Sequence, residues 1–176
     1  MLKTLYWILF AVTMILYGTM LAWSLPAVSA AAGGLPPFDL RPGGYSLADA
    51  QEFLTALSAE GAAFYRNVQL RLDMAFPLLI GLTMYFALAA LLPKRLGRWR
   101  YAVALPALLA MPFDYIENHT IGLMLDAGPE RLTEDLVARG SMASQVKTVI
   151  TSVVMTVILL ALVWHAVRKW VRPRRA

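Results

Sequence analysis

No cysteine occurs among the 176 residues of the chain. This absence excludes disulfide bonds, thiol redox chemistry and thiolate metal sites, and with them the class of small membrane proteins that exchange disulfides. Charged residues are also scarce: they form 15% of the sequence, whereas 59% is hydrophobic and the mean hydropathy is +0.60. Because soluble domains carry about 25% charged residues, the composition indicates a membrane protein.

Four apolar runs are each long enough to cross a bilayer as a helix of about 20 residues. They lie at about 4–25, 72–92, 101–125 and 148–166. We therefore predict an all-α integral membrane protein, one domain over 1–176, built as a four-transmembrane-helix bundle. The first run, followed by Val28-Ser29-Ala30, also resembles a signal peptide. Its apolar length of nearly 20 residues exceeds the 7–15 residues of the apolar core of a signal peptide and favours an uncleaved span.

The two longer connections, 26–71 and 126–147, are predicted to form a partly helical extracytoplasmic cap. Ser46 predicts the N-cap of a helix that begins at Leu47. Glu60-Gly61 predicts a break, after which a helix begins near Ala62 and can run into the second span. In the second connection, residues 130–139 predict a short amphipathic helix.

The distribution of charge predicts the topology. The amino terminus, the loop 94–100 and the carboxyl tail hold 10 of the 16 Lys and Arg residues and none of the 11 acidic residues. The positive-inside rule therefore places both termini in the cytoplasm of a multi-pass protein, in a bacterial inner (plasma) membrane. The pI near 9.7 is explained by this distribution, so no nucleic-acid partner is predicted. The basic loop and tail set the orientation, and they are also able to bind anionic lipid head groups.

The segment Met111–Thr120 carries ionisable residues inside the third run. Asp114, Glu117 and Asn118 have the spacing i, i+3, i+4, which places them on one helix face. An ionised Asp within a membrane costs about 2.5–3.5 kcal/mol on insertion scales, so such residues need partners or a function. Asp73 lies at the start of the second span, four residues before Pro77, whose ring displaces the carbonyl of Asp73.

The acidic residues of the second and third spans are predicted to lie at similar depths in the membrane. At about 1.5 Å per residue, Asp73 lies roughly 28 Å above the basic end of its span. Asp114 and Glu117 lie about 20–25 Å above the basic end of theirs. Polar residues of the other two spans fall at similar heights: Tyr17, Thr19, Thr151, Ser152 and Thr156. We therefore predict one ligand site of Asp73, Asp114, Glu117, Asn118, Thr151 and Ser152.

Two interpretations of this site remain open. In the functional one, the carboxylates bind a cation, carry protons or hold a polar head group. In the structural one, Asp73 or Asp114 pairs with Arg66, Arg71 or Lys147, and Glu117 and Asn118 hold neighbouring helices together. His119 is rotated by about 140° from Asp114, and His165 lies near the opposite membrane face, so a shared haem or metal is not predicted. No cofactor is predicted either.

Three functions follow as hypotheses. The first is a protein that binds or transports a cation or a polar or cationic small ligand. The second is a membrane enzyme on a lipid-like substrate, with Asp114 or Glu117 as the catalytic general acid. The third is an accessory subunit of a larger membrane complex, with a partner membrane protein. The sequence has no phosphate-binding glycine loop, nucleophile elbow or HExxH motif that would identify an enzyme class. Whether the chain is an enzyme therefore stays open.

Overall fold

A computed structural model describes residues 2–171, and within them every regular element is helical. Helix α1 comprises Leu2–Thr19, a π turn Met20–Ser24 and Leu25–Ala31, and α2 is Leu47–Ala56. Helix α3 comprises Ala59–Phe64, a π turn Tyr65–Gln69 and Leu70–Leu91. Helix α4 comprises Trp99–Ala104, a 3₁₀ turn Leu105–Leu108 and Ala110–Ala127, and α5 is Glu134–Val171. Short 3₁₀ turns occur at Phe38–Leu40, Lys94–Leu96 and Pro129–Arg131.

Three of these helices are long and apolar enough to cross a membrane within the described residues: Lys3–Ala31, Ala59–Leu91 and Glu134–Trp170. Helix α4, which contains the predicted third span, is interrupted by the 3₁₀ turn at Pro106 and carries three acidic residues after it. It is therefore not one continuous apolar helix. With three such helices, the protein is a helical, multi-pass membrane protein.

The helices extend further into the cap than the predicted spans do. Helix α1 continues to Ala31, and α5 begins at Glu134, so the segment 134–147 is helical and the predicted short helix over 130–139 is not a separate element. The predicted break at Glu60-Gly61 is wrong. The chain instead breaks at Leu57 and Ser58, where the Ser58 Oγ accepts a hydrogen bond from the Gly61 amide at 3.0 Å and so caps α3.

Gly61 is present because two helices approach closely there. A Cβ atom at this position would lie 2.4 Å from the Ala31 Cβ at the end of α1. We expect Gly61→Ala to lower the free energy of unfolding by about 1–3 kcal/mol, the usual cost of overpacking. Gly18→Ala is the matched control, because a Cβ there meets nothing within 4 Å, and alanine is the better helix former. Equal thermal midpoints for the two variants in detergent would contradict the close approach.

The predicted N-cap of α2 is confirmed. The Ser46 hydroxyl accepts from the Asp49 amide, and the Asp49 carboxylate accepts from the Ser46 amide at 2.8 Å, which completes a capping box. The hydrogen bonds from Ser46 lower the pKa of Asp49 below its ordinary value of 3.8.

A lowered folded-state pKa gives the stability of α2 a defined pH dependence. The contribution of Asp49 is fully present above pH about 4 and is lost as the pH falls through its lower pKa in the folded protein. We expect Asp49→Asn to reduce this acid-dependent loss of stability, measured as the thermal midpoint between pH 5 and 3. An unchanged slope in Asp49→Asn would show that the capping box does not form.

Two apolar clusters divide the interior. The cap cluster joins the connection 32–57 to the adjacent ends of the long helices and includes Phe38, Phe53 and Ile121. The bundle cluster lies toward the other end and includes Met84, Ala107 and Val154. Asp73, Asp114, Glu117 and Lys147 each fall in sequence between residues of the two clusters. The buried charges therefore occupy a layer between the two cores, which we call the polar layer.

Candidate functional site

Lys147 joins the two predicted acids of α4. Its Nζ lies 2.8 Å from Asp114 Oδ1 and also contacts Glu117 Oε2. Lys147 therefore forms an ion pair with each of the two acids. Ser144, one turn before Lys147 on α5, donates its hydroxyl to Glu117 Oε1. The structure thus places Asp114 and Glu117 together, with α5 as their partner.

Asp73 joins the same layer through its backbone as well as its side chain. Pro77 cannot donate to the Asp73 carbonyl within α3. The Asn118 Nδ2 donates to that carbonyl instead, at 3.1 Å. Asn118 therefore satisfies the carbonyl that the proline leaves free, and it ties α4 to α3. The Asp73 side chain itself is 3% exposed, and no basic group contacts it among the described residues.

A fourth carboxyl group comes from the cap and was not predicted. Asp39 lies in the 3₁₀ turn Phe38–Leu40 and accepts a hydrogen bond from the Tyr65 hydroxyl through its Oδ2. The Asp39 and Asp73 carboxyl groups lie close to each other, and Asp114 and Lys147 also lie near Asp73. Two carboxyl groups so placed repel when both are ionised, and they bind each other only by sharing a proton or another cation. We call Asp39 and Asp73 the acid pair.

The π turn of α3 helps to form this arrangement. A π turn contains about one residue more than an α turn, so it rotates the preceding residues by roughly a quarter turn relative to an unbroken helix. This rotation brings Tyr65, at the start of the turn, onto the face that carries Asp73. A second π turn lies beside it on α1, and the residues that end the two turns, Ser24 and Gln69, hydrogen bond at 2.6 Å.

Several buried polar atoms near the layer lack a hydrogen-bond partner within the described residues. They are Asp39 Oδ1, Tyr45 Oη, Gln69 Nε2 and Asn118 Oδ1. The Tyr45 hydroxyl lies near Ser144, and a Cβ at Gly140 would stand 2.5 Å from it. Burial raises the pKa of Tyr45, and the neighbouring Glu117 and Asp39 carboxyls raise it further. Burial and these carboxyl groups therefore disfavour the ionised form of the Tyr45 hydroxyl.

The predicted residues of α5 lie outside the layer. Ser152 is exposed and Thr151 is half-buried, and neither side chain hydrogen bonds to the polar layer in the described chain. Because α5 begins at Glu134 instead of near 148, the level of the acids falls at Ser144 and Lys147. On α1, Tyr17 stacks on Phe76 and Thr19 bonds to its own helix, so neither hydrogen bonds to the polar layer among the described residues.

The other charged and histidine candidates lie elsewhere. Arg66 pairs with Asp126 and donates to the Gly122 carbonyl at 2.6 Å. Arg71 and His119 are exposed, the latter off the acidic face as its spacing predicts. The His165 Nδ1 bonds to the Ala161 carbonyl of its own helix at 2.8 Å. Of the three cations offered as structural partners, Lys147 alone pairs with one of the acids predicted for the site, in the part of the chain that is described.

Charge is unequal in this layer. Asp39, Asp73, Asp114 and Glu117 contribute four carboxyl groups, whereas Lys147 contributes one ammonium group. Within residues 2–171, no three of the acids and histidines form a group suited to a metal ion. The geometry therefore defines a buried ion-pair site on α4 and α5 and, beside it, an acid pair that forms no salt bridge with a basic side chain of residues 2–171.

Comparison with protein-family models, with curated proteins and with solved structures finds no match to this chain. The class that the fold and the polar layer define is a helical multi-pass membrane protein with buried charge.

Proposed function

We propose that the protein is a four-crossing protein of a bacterial inner membrane, with α4 as the fourth crossing and both termini in the cytoplasm. Residues 99–127 form about 29 residues of helix, or roughly 43 Å at 1.5 Å per residue, which exceeds a hydrocarbon core of about 30 Å. Lys147 supports this assignment, since its ammonium group forms ion pairs with Asp114 and Glu117 within the bundle. The concentration of acids near the cap and of bases at the other end supports the orientation.

Within that membrane protein, the polar layer binds a cation, or a small cationic or polar ligand, that enters from the extracytoplasmic side. The observation that carries this proposal is the acid pair, which forms no salt bridge with a basic side chain in the described part of the chain. Lys147 contacts Asp114 and Glu117 directly, whereas it lies near Asp73 without forming a salt bridge to it. A buried carboxylate without a cation is costly, so the pair is the place where a bound cation or proton lowers the free energy most.

The route to the pair passes through the cap. Asp39 is only half-buried, whereas Asp73 is 3% exposed. Asp39 lies in a short turn held by the hydrogen bonds Leu40 N to Pro37 O at 3.0 Å and Arg41 N to Phe38 O at 3.1 Å. A cation from the outer solution therefore meets Asp39 first and Asp73 second.

The hypothesis of a membrane enzyme with Glu117 as general acid has less support than the binding hypothesis. Glu117 is fully buried, and its two oxygens are occupied by Ser144 and Lys147. Such an arrangement holds a charge in place and does not present a proton to a lipid substrate. This contrast favours a binding role for the layer over an enzyme on a lipid-like substrate.

The test is the thermal stability of the purified protein in detergent with sodium, potassium or N-methylglucamine chloride at one ionic strength, and separately between pH 5 and 8. A ligand at 100 times its Kd adds about 2.7 kcal/mol to the free energy of unfolding. We expect a small cation or a lower pH to raise the midpoint. Asp73→Asn should abolish that response.

Asp49→Asn is the matched control for the cation series at neutral pH, because Asp49 is an exposed acid of the cap whose partner is Ser46. It should retain the wild-type response to cations. A wild-type midpoint that is indifferent to every cation and to pH would refute the proposal, as would an equal response in Asp73→Asn.

A further inference from the structure

A groove of about 240 Å³ lies at the end of the bundle opposite the cap. Its walls are the last turns of α3 and α5, and its lining is apolar apart from one edge. The wall residues include Leu88, Leu91, Val157 and Ala161. Arg168 and His165 form the polar edge on α5, and Pro93 closes the groove below α3. The groove therefore has a long apolar surface that ends at a basic group.

The charge around this edge is positive without a protein counter-ion. Lys94 and Arg95 follow Pro93 directly, and Lys169 follows Arg168. None of these four residues takes part in a salt bridge within residues 2–171. All 11 acidic residues of the sequence fall between positions 39 and 135 and outside 74–113. The nearest acids along the chain thus belong to the layer and the cap, and the cations at this end remain available to an anion.

The polar edge is arranged as a membrane interface. The Arg168 guanidinium lies 4.7 Å from the centre of the Trp164 ring, and Trp164 is 57% exposed. Tryptophan is enriched at the level of lipid head groups. The His165 Nδ1 donates to the Ala161 carbonyl of its own helix at 2.8 Å, so Arg168 is the anion-binding group of this edge on α5. Phosphate is the anion found at this level of a bilayer, and arginine is well suited to bind it.

We propose that this groove is a binding site for an anionic phospholipid, with one acyl chain between α3 and α5 and the head-group phosphate on Arg168 and Lys94. The combination of an apolar groove and a basic edge is what distinguishes this occupant from a zwitterionic lipid. The site is separate from the polar layer, and it does not depend on the function proposed for that layer.

The experiment is native mass spectrometry of the full chain in detergent, with phosphatidylglycerol and phosphatidylcholine of the same acyl chains in competition. We expect the anionic lipid to bind in preference. A basic residue near the membrane surface contributes about fivefold in affinity, so Lys94→Gln and Arg168→Gln should each lower the preference by about fivefold. Both side chains are exposed, so the fold should persist.

Two further variants test the position of the site. Ala161→Phe fills the groove and should reduce binding of both lipids at this site while circular dichroism shows an intact helical fold. Arg139→Gln removes an exposed arginine near the cap and should leave the preference unchanged. Equal binding of the two lipids would overturn the proposal. It would also be overturned by a preference that survives the double Lys94→Gln, Arg168→Gln variant, or by unchanged anionic-lipid binding in Ala161→Phe.

Discussion

Lys147→Met is expected to lower the free energy of unfolding by about 3–5 kcal/mol, the usual effect of removing one partner from a buried ion pair. Lys147 Nζ contacts both Asp114 and Glu117, and its side chain is 18% exposed. The substitution keeps most of the side-chain volume but leaves two carboxylates without a cation. The measurement is the unfolding transition of the purified protein in mixed detergent micelles, with the helical signal as the readout.

A second set of variants distinguishes uncompensated charge from altered packing as the cause of the lower stability of Lys147→Met. If uncompensated charge is responsible, adding Asp114→Asn and Glu117→Gln to Lys147→Met should restore most of the stability, because the amides carry no charge. Arg139→Gln is the control on the same helix. Its partner is Asp135, and both side chains are more than 60% exposed, so the change should cost less than about 1 kcal/mol. A triple variant as unstable as Lys147→Met would show that the ion pairs are not the reason.

The sequence was sufficient to predict those parts of the fold that depend on local pattern. Apolar length predicted the long helices, three of which are confirmed as able to cross a membrane. The spacing of Asp114, Glu117 and Asn118 predicted a shared face, and all three are buried at the polar layer. Pro77 predicted a free carbonyl at Asp73, and that carbonyl accepts from Asn118. Each of these inferences uses residues within one or two helical turns.

The missing parts of the site depend on contacts between distant segments. Asp39 stands in an irregular connection with no periodic pattern, and its partner Tyr65 is 26 residues away. The rotation that brings Tyr65 into place comes from a π turn, which has no recognisable signature in this sequence. The predicted start of α5, and with it the choice of its site residues, is wrong for a related reason. Its first turns are polar, so hydropathy alone placed the start of the helix near 148, and Thr151 and Ser152 replaced Ser144 and Lys147 in the predicted site.

Phe38→Ala tests whether the cap holds Asp39 in the polar layer. Phe38 is fully buried, with its ring 4.8 Å from the rings of both Tyr45 and Phe53. Truncation of such a ring costs about 3–5 kcal/mol. Because Asp39 is the next residue, the loss should also free the turn 37–41. We expect faster hydrogen–deuterium exchange at Leu40 and Arg41, whose amides bond within that turn.

The same substitution should also change the response of the protein to cations, because Phe38 is adjacent to the Asp39 carboxyl group. If Phe38 positions Asp39 beside Asp73, then Phe38→Ala should weaken the stabilisation by cations or by low pH in the same way as Asp39→Asn does, although it removes no charge. Leu40→Ala is the control, since Leu40 flanks Asp39 on the other side and is 44% exposed. Slow exchange across 37–41 in Phe38→Ala would contradict the anchoring role, because the acid pair would then be held in place by the Tyr65 hydrogen bond alone.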